Sequence, residues 1–157
     1  MRDSGDSKVY LNGEFVDAAR ARISPTDRGF LFADGVYEVI PVFNGTPFRI
    51  DQHLQRLQRS LDQLSLSNPY PPARWREVCD TLVAHNGGGN LTLYLQITRG
   101  VADRRDHPFP DPPVPPTVYL SCAPMSVPAA HSPEQAQGVA AITLRDIRWA
   151  RCDIKSV

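Results

Sequence analysis

Short apolar runs broken by turn residues open the chain, a pattern typical of β-hairpins. An Asn-Gly pair at 12–13 separates two such runs, and a second pair at 44–45 follows the β-branched and aromatic run 36–43. Both residue types tolerate the positive φ angles of a type I′ turn. We therefore predict two hairpins, joined by a glycine-containing loop at 26–35 that carries three apolar residues of the buried type.

Helical spacing of apolar residues replaces this pattern in the middle of the chain. Two amphipathic stripes, with intervals of three and four residues, predict two helices separated by a break at 70–72. We expect Asp51 to cap the first helix and the Asn-Gly-Gly-Gly run at 86–89 to end the second. The first stripe consists of Leu54, Leu57, Leu61 and Leu64, and the second of Trp75, Val78, Cys79, Leu82 and Val83.

The pattern of a β-strand returns after the helices. Apolar residues alternate with polar ones over 91–98, and an apolar run at 117–123 follows a proline-rich loop. A further β-type run lies at 139–144. The order of these elements predicts an α+β domain with an antiparallel sheet.

These elements divide the chain into three parts. We predict an α+β domain at 1–123, a linker at 124–138 and, at 139–157, the beginning of a second domain. One or two strands cannot bury a new sheet. We therefore expect the remainder of the second domain to be absent from this chain.

Composition excludes several classes of protein. Seventeen Lys and Arg balance seventeen Asp and Glu, whereas proteins that coat nucleic acids show a basic excess. No apolar run approaches the roughly 18 residues of a membrane span, and nothing at the start resembles a signal peptide, so we expect a cytoplasmic protein. Cys79, Cys122 and Cys152 lack metal-ligand spacing and predict reduced thiols without a metal site.

Single residues carry little chemical information in this sequence. Taken alone, each polar or aromatic candidate has an ordinary interpretation as an exposed side chain or a packing residue. These candidates are Tyr37, Arg56, Arg104, Arg105, His107 and Lys155. Their combination with the surrounding sequence is more informative.

Four ordered blocks carry a resemblance to a known family. The run at 27–38, Asp-Arg-Gly-Phe-Leu-Phe-Ala-Asp-Gly-Val-Tyr-Glu, resembles the loop and strand of fold-type IV enzymes that use pyridoxal phosphate (PLP). Blocks at 51–57, 96–100 and 146–156 agree in the same order. Within the family the sequence is most similar to the D-amino-acid aminotransferases. Blocks spread over nearly the whole chain are more specific than a single short motif.

The resemblance assigns the cofactor residues. Lys155 matches the lysine that these enzymes join to PLP as a Schiff base, and Arg56 matches the arginine that binds the cofactor phosphate. A guanidinium fork suits a phosphate. PLP is the electron sink of the reaction, while the protein orients and tunes it.

The resemblance also assigns residues for the substrate carboxylate. Tyr37, Arg105 and His107 match the family's carboxylate-binding set. The loop is one residue longer than the usual pattern, so Arg104 competes with Arg105 for this role. The spacing to His107 favours Arg105.

Together these matches imply transamination between a D-amino acid, such as D-alanine, and a 2-oxo acid, such as 2-oxoglutarate, in a homodimer. Branched-chain aminotransferases and aminodeoxychorismate lyase have the same fold and remain alternative functions. A non-catalytic truncated domain is a further alternative. The family's second domain contributes further cofactor contacts. We therefore expect residues 1–157 alone to be inactive.

Overall fold

The computed structural model describes residues 7–127, 138–143 and 154–156. Within these ranges a six-stranded antiparallel sheet packs against helices, which confirms the predicted α+β fold. The strands are ordered β2-β1-β6-β5-β3-β4 across the sheet. The elements are β1 (Lys8–Leu11), β2 (Glu14–Asp17), a 3₁₀ turn (Ala18–Arg20), α1 (Arg28–Phe32), β3 (Gly35–Phe43), β4 (Thr46–Pro47), α2 (Ile50–Gln63), α3 (Pro72–His85), β5 (Leu91–Thr98) and β6 (Thr117–Pro124).

Both predicted hairpins form. Asn12 and Gly13 have φ angles of 49° and 107° between β1 and β2, and Asn44 and Gly45 have 49° and 81° between β3 and β4. Positive φ at both central residues is what a type I′ turn requires. The Asn-Gly signal therefore identified both turns correctly.

The segment predicted as a loop at 26–35 contains the short helix α1, so that prediction is wrong in part. The Asp27 carboxylate accepts a hydrogen bond of 2.8 Å from the backbone N–H of Gly29 and caps the helix. A cap of this kind satisfies a backbone donor that would otherwise be unpaired. The helix turns Phe30 outward, where it is 78% exposed, while Leu31 and Phe32 are half-buried.

Asp51 lies in the first turn of α2 and does not cap it, contrary to the prediction. The cap position belongs to Arg49, whose φ angle is 52°. The Asp51 carboxylate instead accepts hydrogen bonds from Arg76 of α3. The Asp51 carboxylate therefore pairs with a side chain of the other helix and not with the backbone N–H groups at the start of α2.

The helices cover one face of the sheet and form the core with it. The predicted leucine stripe is buried at Leu54, Leu57 and Leu61, and all five residues of the second stripe are buried. In β3 the positions 36, 38, 40 and 42 face this core. Three of them are apolar, and the fourth is Glu38, whose side chain is fully buried.

The described part of the predicted run 139–144 forms no strand. Residues 138–143 have no regular secondary structure, and Val139 and Ile142 are 90% and 82% exposed. A strand needs a hydrogen-bonded neighbour, and none of the described strands pairs with this segment. Leu144, like most of the linker at 124–138, lies outside the described residues.

No helix in the described ranges has the length and apolar character that a membrane crossing would need.

Candidate active site

Lys155 lies against the first residues of β3, on the edge that β4 covers only at the far end of the strand. The backbone N–H of Tyr37 donates to the Lys155 carbonyl over 3.1 Å, and Ser156 forms an antiparallel bridge with Val36. The Lys155 ammonium lies 3.6 Å from the centroid of the Tyr37 ring. A cation over an aromatic face is attracted by the ring quadrupole. The structure therefore brings together two of the residues singled out from the sequence.

Tyr37 begins a row of tyrosines on the sheet face that the helices leave open. Its ring centroid is 5.8 Å from that of Tyr94, which in turn is 6.5 Å from that of Tyr119. Burial raises the pKa of Tyr94 above its usual value. The Tyr94 hydroxyl donates to Gln96 over 2.9 Å. The Lys155 amine thus lies at one end of an aromatic surface.

Arg56, on α2, is held by a buried carboxylate. Its Nε and Nη2 donate to the two carboxylate oxygens of Glu38 over 2.6 and 2.5 Å. These hydrogen bonds raise the pKa of Arg56 above its usual value, so the guanidinium stays charged. The Arg56 side chain is nevertheless 45% exposed. Among the described residues no hydrogen bond involves its Nη1, which leaves that edge of the fork for a ligand.

Glu38 and His53 are members of this cluster that sequence reasoning missed. His53 lies one turn before Arg56, and its Nδ1 is 2.7 Å from a Glu38 oxygen. Because the carboxylate accepts, Nδ1 carries the hydrogen in this contact. The signal was present in the sequence: a carboxylate at a core-facing strand position needs a buried partner.

Helix α2 links the arginine to the lysine. Ser60 follows Arg56 by four residues, so the two side chains are neighbours on the helix surface. The Ser60 hydroxyl is 3.4 Å from the backbone nitrogen of Lys155. The backbone of Lys155 therefore lies beside the turn of α2 that follows Arg56. The amine of Lys155 and the guanidinium of Arg56 fit a ligand that carries both a carbonyl group and a phosphate.

Arg105 and His107 lie elsewhere, around the ring of Phe32. The Arg105 Cζ is 4.7 Å from the centroid of that ring, and the His107 ring centroid is 5.4 Å away. The Arg104 side chain is 86% exposed and forms a 3.7 Å ion pair with Asp106. Within the described residues, no hydrogen bond, ion pair or ring contact joins this loop to Tyr37 or Lys155. The structure thus does not assemble the predicted carboxylate-binding set.

The described cysteines have the properties of unreactive thiols. Burial raises the pKa of Cys79 to about 12 and that of Cys122 to about 11. A thiol becomes a nucleophile or metal ligand only as the thiolate. Cys152 lies outside the described residues.

Comparison with known proteins identifies the family. Residues 35–157 match the sequence profile described as amino-transferase class IV. The chain belongs to this family. The resemblance to fold-type IV enzymes that the four sequence blocks carry is thereby confirmed.

The similar proteins include enzymes of three kinds. The chain is 41% identical over 151 residues to a D-alanine aminotransferase of Staphylococcus epidermidis, covering 96% of this chain and 52% of that protein. It resembles the T.th. branched-chain amino acid aminotransferase complexed with N-(5'-phosphopyridoxyl)-L-glutamate, with a TM-score of 0.68, 21% identity and coverage of 76% and 41% of the two chains.

The third kind is the 4-amino-4-deoxychorismate lyase of Pseudomonas aeruginosa, with a TM-score of 0.59, 29% identity and coverage of 74% and 39%. The chain therefore spans about half the length of the curated relatives that it matches.

Proposed function

We propose that the full-length protein containing this chain transfers the amino group of a D-amino acid, such as D-alanine, to a 2-oxo acid, such as 2-oxoglutarate, with PLP as cofactor. The observation that carries the proposal is the position of Lys155: its amine lies 3.6 Å from the centroid of the Tyr37 ring, and its backbone nitrogen lies 3.4 Å from the Ser60 hydroxyl on the helix that bears Arg56. Further support comes from the D-alanine aminotransferase at 41% identity.

Lys155 and Arg56 are the residues of this chain that would hold PLP. The half-exposed Arg56 fork offers its Nη1 edge to the phosphate, while Glu38 fixes the opposite edge. The T.th. relative, whose bound ligand carries a phosphopyridoxyl group, supports this choice of cofactor. When bound, PLP supplies the electron sink that transamination needs.

Lys155 would also move a proton at the substrate Cα. A base must be within hydrogen-bond reach of the proton that it abstracts. Backbone contacts to Tyr37 and Ser60 restrict where the Lys155 stem can go, and the Tyr37 ring shields one side of its amine. These contacts support a general-base role for the Nζ atom.

Tyr37, Arg105 and His107 would bind the substrate carboxylate. A hydroxyl and a guanidinium fork are suitable donors to a carboxylate. Orientation of the carboxylate selects the Cα hydrogen that faces Lys155, and with it the D configuration. The homodimer, the division into domains and the cytoplasmic location stay predictions from the sequence.

The proposal is tested on the full-length protein incubated with PLP. We expect borohydride reduction to fix the cofactor on the peptide that contains Lys155, and D-alanine with 2-oxoglutarate to give pyruvate and glutamate. Lys155→Ala should lose both the label and the turnover. The matched control is Lys8→Ala, since Lys8 is the one other lysine of this sequence and pairs with Asp17. It should keep both.

The rival functions give different results in the same assay. Preferential turnover of L-leucine would indicate a branched-chain aminotransferase, and release of pyruvate from 4-amino-4-deoxychorismate would indicate the lyase. A label on Lys8, or no label at all, would contradict the assignment of Lys155. Absence of turnover with every substrate would favour a non-catalytic domain.

A further inference from the structure

Arg28 is a buried arginine that forms hydrogen bonds with the backbone of the loop at 106–108. Its side chain is 4% exposed, and its guanidinium donates to three consecutive carbonyl groups of that loop. Nη1 donates to the carbonyl oxygens of Asp106 and Pro108 over 2.7 and 3.2 Å, and Nη2 donates to that of His107 over 3.3 Å. The three carbonyls directly follow Arg105. One side chain therefore fixes the backbone that carries both proposed carboxylate ligands.

Asp34 anchors Arg28 and connects it to a second buried arginine. One Asp34 oxygen accepts from Arg28 Nε over 2.9 Å and from Arg99 Nε over 2.8 Å. Burial alone would raise the pKa of Asp34, but the hydrogen bonds from Arg99 and Arg28 outweigh burial and hold the pKa below its usual value. Asp34 therefore stays charged. Arg99 in turn donates to the carbonyls of Leu64 and Ser65, just beyond α2.

The ring of Phe32, one helical turn after Arg28, contacts the side chains of the same loop. The guanidinium carbons of Arg28 and Arg105 each lie 4.7 Å from its centroid, and the His107 ring lies at 5.4 Å. Arg28 thus holds the loop backbone while Phe32 orients its side chains. Neither Arg28 nor Phe32 has to touch a substrate to have this effect.

We infer that Arg28, with the Phe32 ring, is a positioning residue for the substrate carboxylate: it sets Arg105 and His107 in the geometry that binds this group. The inference rests on the proposed function. Arginine suits the task because its planar fork reaches several acceptors in fixed directions, whereas lysine is a point charge with a flexible stem. A displacement of about 1 Å in a binding group is enough to change a rate by roughly a hundredfold.

The test measures selectivity for the carboxylate in the full-length protein with PLP. The readout is the ratio of half-reaction rate constants for D-alanine and for ethylamine, which is alanine without its carboxylate, together with PLP affinity and the melting temperature. We expect Arg28→Lys to lower this ratio roughly ten- to hundredfold, mainly through KM for D-alanine, and to leave PLP affinity within about twofold of wild type.

Arg99→Lys is the matched control. Arg99 is also buried and shares Asp34, but its Cζ lies over the side chain of the loop residue Phe109, 3.7 Å from the ring centroid. Within the described residues it donates no hydrogen bond to 106–108. We expect Arg99→Lys to lower the melting temperature as Arg28→Lys does and to leave the ratio within about twofold of wild type.

The outcomes separate this inference from the proposed function. If the wild-type protein does not prefer D-alanine to ethylamine, the carboxylate site itself is wrong, and the inference fails with it. If Arg105→Ala removes a wild-type preference that Arg28→Lys retains, the inference alone is overturned. If Arg28→Lys cannot be purified folded, Phe32→Leu decides, because Phe32 is only half-buried. An unchanged ratio in that variant overturns the inference, and a lowered ratio supports it.

Discussion

At the scale of single residues, Glu38 is the group on which the phosphate side of the candidate site depends. It is fully buried, and among the described residues its two side-chain oxygens are hydrogen-bonded by Arg56 and His53 alone. Removing one partner of a buried ion pair leaves the charge of the other partner uncompensated. Arg56 is half-exposed, so solvent compensates for part of that loss on its side.

Glu38→Gln should therefore weaken both the fold and cofactor binding. We expect the free energy of unfolding to fall by about 1.5–3 kcal/mol, the range for hydrogen bonds to a charged group, and PLP affinity to fall because the Arg56 fork is no longer fixed. Urea unfolding and a PLP absorbance titration measure the two effects.

The control for this change is Glu77→Gln. Glu77 pairs with Arg74 on the surface of α3 and is 63% exposed, and exposed pairs contribute little. It should leave stability and PLP affinity nearly unchanged. Equal effects of the two variants would show that the Glu38–Arg56 pair has no special role.

At the scale of elements, the connection from β5 into the proline-rich loop depends on Gly100. Its φ angle is +98°, and a Cβ atom there would overlap the carbonyl oxygen of Pro115. Its own carbonyl accepts from the backbone N–H of Arg28 over 2.9 Å. Glycine is required here both for the backbone conformation and for the close approach of another backbone segment.

Gly100→Ala and Gly13→Ala separate these two requirements. Gly13 has a similar φ angle of +107°, but among the described residues, its two chain neighbours apart, no heavy atom lies within 4 Å of the position that a Cβ would take there. We expect Gly13→Ala to destabilise the fold by roughly 1–2 kcal/mol from backbone strain, and Gly100→Ala by a further ~1–3 kcal/mol from overpacking. Thermal and urea unfolding measure the difference. Equal losses would mean that the Pro115 backbone moves aside freely.

At the scale of the whole molecule, the proposed substrate site draws on parts that the described residues do not join. Arg105 packs on Phe32, whereas Tyr37 packs under Lys155. The neighbouring Arg104 is 86% exposed. Arg105 is exposed as well, so it is its contact with the Phe32 ring that supports Arg105 as the carboxylate ligand of the pair.

Arg105→Ala in the full-length protein should lower kcat/KM for D-alanine roughly ten- to hundredfold and leave PLP bound. Arg104→Ala should have little effect, since its side chain is 86% exposed and its ion pair with Asp106 lies at the surface. Steady-state kinetics and the absorbance of bound PLP distinguish the two. A loss in Arg104→Ala instead would show that the loop register is shifted by one residue, and loss of PLP in Arg105→Ala would show that the loop serves the cofactor.

The sequence by itself determined the features that depend on near neighbours. Asn-Gly pairs favour one type of turn, and leucines three and four residues apart share a helix face, so both hairpins, α2, α3 and the long strands were predictable. The four ordered blocks at 27–38, 51–57, 96–100 and 146–156 together indicated the family. The short helix α1 was missed because its cap, Asp27, stands in a run whose glycines favour a loop.

Only the tertiary structure decided which charged groups meet. Arg56 and Glu38 are 18 residues apart, and Arg28 and Asp106 are 78 apart, distances at which local propensity carries no information. Asp51 illustrates the limit, because a partner on another helix takes the carboxylate that local rules assign to a cap. Buried charges must find partners wherever the fold provides them. The pairs that hold Arg56 and the loop of Arg105 therefore follow from packing and not from sequence pattern.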